Sequence, residues 1–324
     1  MKQILVTGGA GFIGSHLAER LLARGDRVTV VDDETTGRFA NLAAVADHPR
    51  LRSVRGSIAD ADLVAQYVDE VDEVYHLAAA VGVRLIAEAP IRTIETNIDT
   101  TQLLLGAIQR RRASRPIKFF LASSSEVYGK NPKPQWTEED DLVFGPTTRA
   151  RWSYGASKAI DEFLVLAHHR QYGLPAVIAR FFNVVGPRQT GAFGMVLPRF
   201  IDAALSGEPL IVHDDGRQRR CFAHVADVVS TVLALMEAPA AVGRVFNVGS
   251  DQPVSILELA QLVIDVTGST SRIEFQSYAE AYSADFEDIR NRVPDLSRLR
   301  ATVEITPRYD LRGIVEDVAA SRRG

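Results

Sequence analysis

One cysteine in 324 residues, Cys221, excludes an internal disulfide and fits a reducing compartment. Long apolar runs are also missing. The most apolar late stretch, Val225 to Val242, is interrupted by Asp227 and Glu237, so no membrane span is expected. There is little net charge: 37 Lys and Arg oppose 41 Asp and Glu, for −4 overall and a pI near 6.0. That balance gives no electrostatic reason to expect nucleic acid or an anionic membrane as a partner. Low-complexity tracts and internal repeats are absent as well. At the N-terminus only Lys2 precedes an apolar stretch that reaches glycine at Gly8, which reads as a strand and not as a secretory leader. What is present, 46% hydrophobic and 24% charged residues, is the make-up of a globular protein. The length suits one large domain or two ordinary ones. These properties point to a cytoplasmic enzyme or binding protein.

Short β-branched runs alternate with helical periods through the first half. Ile4–Val6, Arg27–Val31, Leu51–Val54, Glu73–His76 and Lys118–Leu121 read as strands, and Ile13, Leu17 and Leu21 stand at helical spacing between the first two. Two long helices are expected near Ile94–Arg112 and Tyr154–Tyr172, then a strand at Ala176–Ala179. This alternation predicts an α/β fold, a Rossmann-type doubly wound parallel sheet with right-handed crossovers. Beyond Pro187 the rhythm loosens and prolines recur. We therefore expect residues 1–186 to form the dinucleotide-binding domain and 187–324 a smaller C-terminal α/β substrate-binding lobe. The reading leaves open that some later segments return to the first domain.

The first strand runs into Thr7-Gly8-Gly9-Ala10-Gly11-Phe12-Ile13-Gly14 and then a helix. Glycines let the backbone turn tightly and approach a pyrophosphate, whose charge sits at the free N–H groups of the helix. The second strand ends in Asp32-Asp33, eighteen residues beyond Gly14 for the first of them. A carboxylate there accepts hydrogen bonds from the adenosine ribose and repels a 2′-phosphate, which favours NAD over NADP despite Arg38 nearby.

Tyr154-Gly155-Ala156-Ser157-Lys158 places a phenol and an ammonium one turn apart on one helical face. A nearby Lys⁺ stabilises phenolate, so the tyrosine can take a proton from a sugar hydroxyl as hydride leaves. Upstream, Ser123-Ser124-Ser125-Glu126-Val127-Tyr128-Gly129 follows a strand whose C-terminal end faces the ligand crevice. Taken alone, the Tyr-Lys pair is equally readable as a surface pair.

Together with His76-Leu77-Ala78-Ala79, Asn97, Arg180-Phe181-Phe182-Asn183, Gly186-Pro187-Arg188, Asp214 to Phe222, His224-Val225-Ala226-Asp227 and Phe246-Asn247-Val248-Gly249, these motifs span nearly the whole chain. The sequence resembles the extended short-chain dehydrogenase/reductase family, the NAD-dependent nucleotide-sugar epimerases, dehydratases and decarboxylases. The resemblance implies Ser124, Tyr154 and Lys158 as catalytic residues, with Ser125 and Glu126 beside them and Lys158 also on the nicotinamide ribose. It implies Gly8, Gly11, Phe12, Ile13, Asp32, Asp33, Ser57, Ile58, Leu77, Ala78, Ala79 and Asn97 as the NAD site. At the adenine pocket Gly56-Ser57-Ile58 departs from the family's Gly-Asp-hydrophobic pattern. Asn183, Arg220 and Arg292 would hold the nucleotide-sugar substrate, with Val196 and Leu197 near its base. A homodimer joined through the two long helices is implied too. No metal is called for.

The reaction is less determined. A 4,6-dehydratase of this family carries Thr-Asp-Glu where this chain has Ser124-Ser125-Glu126, so the acid at the middle position is missing. Ser-Ser-Glu is most similar to the Thr-Ser-Glu of UDP-glucuronate decarboxylases, and Arg151-Trp152-Ser153-Tyr154 and Arg292-Val293-Pro294 point the same way. The resemblance implies decarboxylation of UDP- or TDP-glucuronate through a 4-keto intermediate. A 4-epimerase of UDP-glucuronate or UDP-glucose is the alternative, and a non-catalytic nucleotide sensor a more distant one. Glu126 is either an acid–base group or an ordering one, and Arg292 either a phosphate clamp or a proton donor.

Overall fold

The computed structural model describes residues 1–80, 89–111, 116–191, 195–281 and 288–323. In order come β1 (Gln3–Thr7), α1 (Phe12–Arg24), β2 (Arg27–Asp32), β3 (Leu51–Arg55), α2 (Ala61–Val68), β4 (Glu73–His76), α3 (Pro90–Arg110), β5 (Lys118–Ser124), α4 (Ser153–Tyr172) and β6 (Ala176–Phe181). After these come β7 (Val184–Val185), α5 (Val196–Ser206), β8 (Leu210–His213), β9 (Arg219–Cys221), β10 (Ala223–His224), α6 (Val225–Glu237) and β11 (Arg244–Val248). The chain closes with β12 (Pro253–Ser255), α7 (Ile256–Thr267), β13 (Ile273–Gln276), α8 (Tyr278–Ala281), β14 (Asn291–Arg292), α9 (Ser297–Thr302) and α10 (Leu311–Arg323).

Seven strands pair in the order β11-β6-β5-β4-β1-β2-β3, every neighbour parallel. Successive residues of a strand point to opposite faces. In β1, Ile4 and Val6 accordingly enter the core on one side of the sheet and Leu5 the core on the other. The strand order reverses between β1 and β4, and at such a switch point the C-terminal ends open into a ligand crevice. Thr7 lies opposite both Val31 and His76 there.

The second long helix starts within one residue of expectation, while α3 begins at Pro90 and not near Ile94. Proline suits the first helical position because the N–H it lacks would have no partner there. The expected end at Arg112 lies outside the described residues. The later chain divides its packing. Val225, Val228, Val229, Val232 and Leu235 of α6 are buried in the core that covers α1, and β11 extends the main sheet beside β6. At roughly 1.5–3 kcal/mol for each fully buried valine or leucine, this face alone holds the segment against the first domain. By contrast α5, β8, α7 and α10 surround their own cluster, built on Phe200, Ile201, Leu259, Val263 and Val315.

Candidate active site

The glycines after β1 are imposed by space as well as by conformation. Gly8 has φ +69, and a Cβ there would stand 2.7 Å from the Ala78 nitrogen; a Cβ on Gly14 would stand 2.2 Å from the Gly8 carbonyl oxygen. The turn that results leaves the start of α1 without a side-chain cap and without an acidic residue in its first turn. Its orphan N–H groups therefore favour an anion, and the missing Cβ atoms leave room for a pyrophosphate against the backbone. Asp32, at the end of β2, is 8% exposed. It accepts hydrogen bonds from the amides of Ala10 (3.0 Å) and Glu34 (2.8 Å). Burial raises its pKa and these two donors oppose the rise.

Beside the turn, the end of β4 is tied down by a chain of hydrogen bonds. The Thr101 hydroxyl donates to the Asn97 carbonyl at 2.9 Å, so it accepts from His76 Nε2 at 3.1 Å, and His76 Nδ1 accepts from Thr7 Oγ1 at 2.8 Å. Burial and the charge of Lys158 push the His76 pKa down to about 3, so the ring is neutral in this chain of donors. Asn97 accepts from the Ala80 amide at 2.9 Å and donates to Ser157 Oγ at 3.0 Å, which links the loop after β4 to the helix that carries Tyr154.

One cleft of about 540 Å³ joins this turn to the ends of β5 and β6 and to the later lobe. Gly8, Gly11, Phe12, Ile13, Asp32 and Leu77 to Ala79 line one half. Ser124, Ser125, Glu126, Tyr154, Asn183, Val196, Arg220 and Arg292 line the other. Six arginines face the cleft (Arg38, Arg151, Arg188, Arg199, Arg220, Arg292) against three carboxylates, Asp32, Glu126 and Asp288. That excess of guanidinium suits diphosphates, which accept charge-assisted hydrogen bonds from arginine.

Tyr154 is 7% exposed, and burial raises its pKa well above the ordinary phenol value while the facing Ser124 side chain opposes the rise. Glu126 is held from two sides, by Arg151 at 2.6 Å and Arg292 at 2.5 Å. Burial alone would raise the Glu126 pKa; the two guanidiniums overcome that and hold it down to about 2. In this geometry Glu126 is an ionised carboxylate held between two arginines. Asn183 has φ +30, a left-handed conformation costly for a residue with a side chain. Its amide donates to the Cys221 carbonyl at 2.9 Å, which ties β6 to the end of β9. One guanidinium nitrogen of Arg220 (Nη2) donates to both carboxylate oxygens of Asp288 at 3.0 Å, and the parallel pairing of β14 with β9 sets Arg292 beside Arg220.

Not every expected residue reaches the cleft wall. Asp33 is exposed and accepts from the Thr35 amide, because the side chain after Asp32 points to the other face. Ile58 is buried in the core with Val64 and Val68, and Ser57 accepts from the Ala59 amide at 3.2 Å, so neither stands on the wall. Leu197 is fully buried in the later lobe's core. Asn97 and Lys158 lie behind the wall, where Asn97 donates to Ser157 and Lys158 to Asp161. Conversely Arg151, Arg188, Arg199 and Asp288 were not singled out as site residues. Arg151 and Arg188 sit in motifs that were legible, while nothing local distinguishes Arg199 or Asp288 from surface charges.

Residues 4–249 match the NAD dependent epimerase/dehydratase family. The chain is 41% identical over 307 residues to a UDP-N-acetyl-alpha-D-glucosaminuronate decarboxylase of Bacillus cytotoxicus, covering 94% of this chain and 93% of that one. It is 36% identical to UDP-glucuronic acid decarboxylase 1 of Arabidopsis thaliana, over 96% of this chain and 67% of that one. Among solved structures it resembles a UDP-glucuronic acid 4-epimerase variant of Bacillus cereus in complex with UDP-4-deoxy-4-fluoro-glucuronic acid and NAD. That likeness has a TM-score of 0.87 at 28% identity and covers 99% of each chain. With the glycine turn, the Ser124–Tyr154–Lys158 set and the match over most of its length, the chain belongs to the NAD dependent epimerase/dehydratase family.

Proposed function

We propose that the protein is an NAD-dependent decarboxylase of a nucleotide-activated glucuronic acid, with the 2-acetamido form included among its candidate substrates. The observation that carries this reading is the Arg151–Glu126–Arg292 cluster beside Tyr154: two guanidiniums and one carboxylate leave a net positive charge in the reacting half of the cleft. A sugar with a carboxylate at C6 matches that charge, and a neutral hexose does not. The relatives named as decarboxylases of UDP-glucuronic acid and of its N-acetyl counterpart support the same reading.

The half of the cleft built by the glycine turn would hold NAD, which when bound would supply the hydride acceptor for C4. Tyr154 accepts the proton of the C4 hydroxyl and Ser124 orients that hydroxyl. Once C4 is a carbonyl, the C6 carboxylate is β to it. Breaking the C5–C6 bond releases CO2 and moves the electron pair onto the C4 oxygen, where the Tyr154 and Ser124 hydroxyls donate to the developing negative charge. A proton from solvent is then added at C5 in place of the lost carboxylate. The product is an NDP-4-keto-pentose, or an NDP-pentose if hydride comes back to C4. A 4-epimerase acting on the glucuronate remains the second reading, supported by the likeness to the Bacillus cereus enzyme. Incubation with NAD and UDP-glucuronate, UDP-N-acetylglucosaminuronate, UDP-glucose and the TDP counterparts, with products read by mass and NMR, decides the matter. Loss of CO2 is expected; a product of unchanged mass would establish the epimerase instead.

Asp32 faces the ribose side of the cleft and Asp33 does not, so discrimination against NADP rests on one carboxylate, with Arg38 also on the wall. We expect NAD to bind about tenfold tighter than NADP or more, roughly 1.4 kcal/mol, and Asp32→Ala to narrow the gap. Titration of both cofactors checks this, and equal wild-type affinities would remove the role given to Asp32.

We further propose a homodimer through α3 and α4, which pack side by side. Leu104, Leu105 and Val165 of these helices are buried in the protein's own core and are not available to that contact. The large apolar side chains left exposed on these helices include Ile91 and Ile94 on α3 and Ile160 and Phe163 on α4, with Phe163 64% exposed. Phe163→Asp is expected to give a monomer by light scattering with an unchanged circular-dichroism spectrum; a wild-type monomer at micromolar concentration would refute the assembly.

A further inference from the structure

Behind the cleft wall lies a carboxylate that the proposed reaction does not use. Tyr154, Lys158 and Asp161 stand at i, i+4 and i+7, a single stripe along α4. Lys158 is 2% exposed and Asp161 fully buried, and the ammonium donates to Asp161 Oδ2 at 2.8 Å. The other oxygen, Oδ1, has no hydrogen-bond partner among the described residues. A buried ion pair with an unsatisfied oxygen is a poor source of stability compared with apolar packing, so its presence one turn from a reacting group points to function.

The geometry points to Asp161 as a positioning residue that seats the Lys158 ammonium and tempers its pull on Tyr154. This rests on the reading of Tyr154 as the base. An unopposed ammonium would favour phenolate strongly; a carboxylate at 2.8 Å turns that single charge into a dipole whose field at the phenol is weaker. Burial raises the Tyr154 pKa most, and Asp161 adds to the rise. The other groups that face this stripe are neutral His76 from β4, Thr101 from α3, Glu162 on α4 itself, and Glu126 and Arg292 around the phenol. Thr101 and Lys158 contact Asp161 directly, so the carboxamide variant, which keeps an acceptor for both, isolates the charge.

The test is the pH dependence of NADH formation when enzyme and NAD are mixed with UDP-glucuronate. Base catalysis by Tyr154 makes the rate rise with pH as the phenol ionises. In Asp161→Asn the carboxamide oxygen can still accept from Lys158 but the opposing charge is gone. The rising limb should therefore move to lower pH, by roughly one unit. Asp161→Ala, read alongside it, should move the same way. A limb that stays in place or moves upward overturns the assignment. So does failure of both variants to fold, since that would mark Asp161 as a group that merely seats the helix. Absence of both transient NADH and CO2 release in the wild type would instead refute the reaction itself, a result distinct from an unmoved limb.

Discussion

Tyr154→Phe is expected to slow NADH formation by roughly 10²- to 10⁴-fold. The substitution removes one oxygen and almost no volume, so the packing of α4 against β5 survives. The phenol lies in the cleft wall facing Ser124, where the C4 hydroxyl would present its proton. Without the phenolic oxygen, the hydroxyl proton would have to leave to Ser124, whose pKa is far too high, or to water. The diphosphate contacts and the glycine turn lie elsewhere in the cleft. Affinity for NAD and for the nucleotide sugar should accordingly stay near wild type. Rapid mixing followed by near-ultraviolet absorbance separates the two quantities. A variant that kept most of its rate would show that another group takes the proton.

Glu126→Gln should cost about 3 kcal/mol of stability at neutral pH, because it removes the buried carboxylate charge that Arg151 and Arg292 share. Its pH dependence distinguishes this cause from lost packing. The folded-state pKa of Glu126 is depressed, from 4.5 to about 2. A depressed carboxylate contributes stability that is fully present above its unfolded value and is lost as pH falls through the folded one. Holding the carboxyl that far below its ordinary value corresponds to a contribution on the order of 3 kcal/mol. The gap in melting temperature between wild type and variant should thus be constant at neutral pH and close between about 4.5 and 2. Equal melting temperatures at neutral pH, or a gap that persists unchanged in acid, would contradict the ion-pair account.

What the amino-acid sequence by itself determined is the part of this protein governed by local rules. Short runs rich in Val and Ile beside glycine specify β1 and β2, and the strand–glycine–helix order specifies the turn at Gly8 to Gly14, because only glycine fits where a Cβ would strike the Gly8 carbonyl. The four-residue spacing of Tyr154 and Lys158 was likewise sufficient to place both on one face of α4. Tertiary structure alone decided what stands opposite those residues. Arg292 meets Glu126 across 166 positions of chain, and Arg220 meets Asp288 across 68. No spacing rule connects them, since both contacts arise from β14 joining β9 in a small sheet whose strands are two and three residues long. The same holds for the return of α6 and β11 to the first core. An apolar helix face declares that it will be buried, but its partner is selected by packing among all faces present. Asp33 shows the limit at the scale of one residue: the strand's alternation turns it outward while Asp32 faces the cleft, and the acidic pair read alike until the end of β2 was placed.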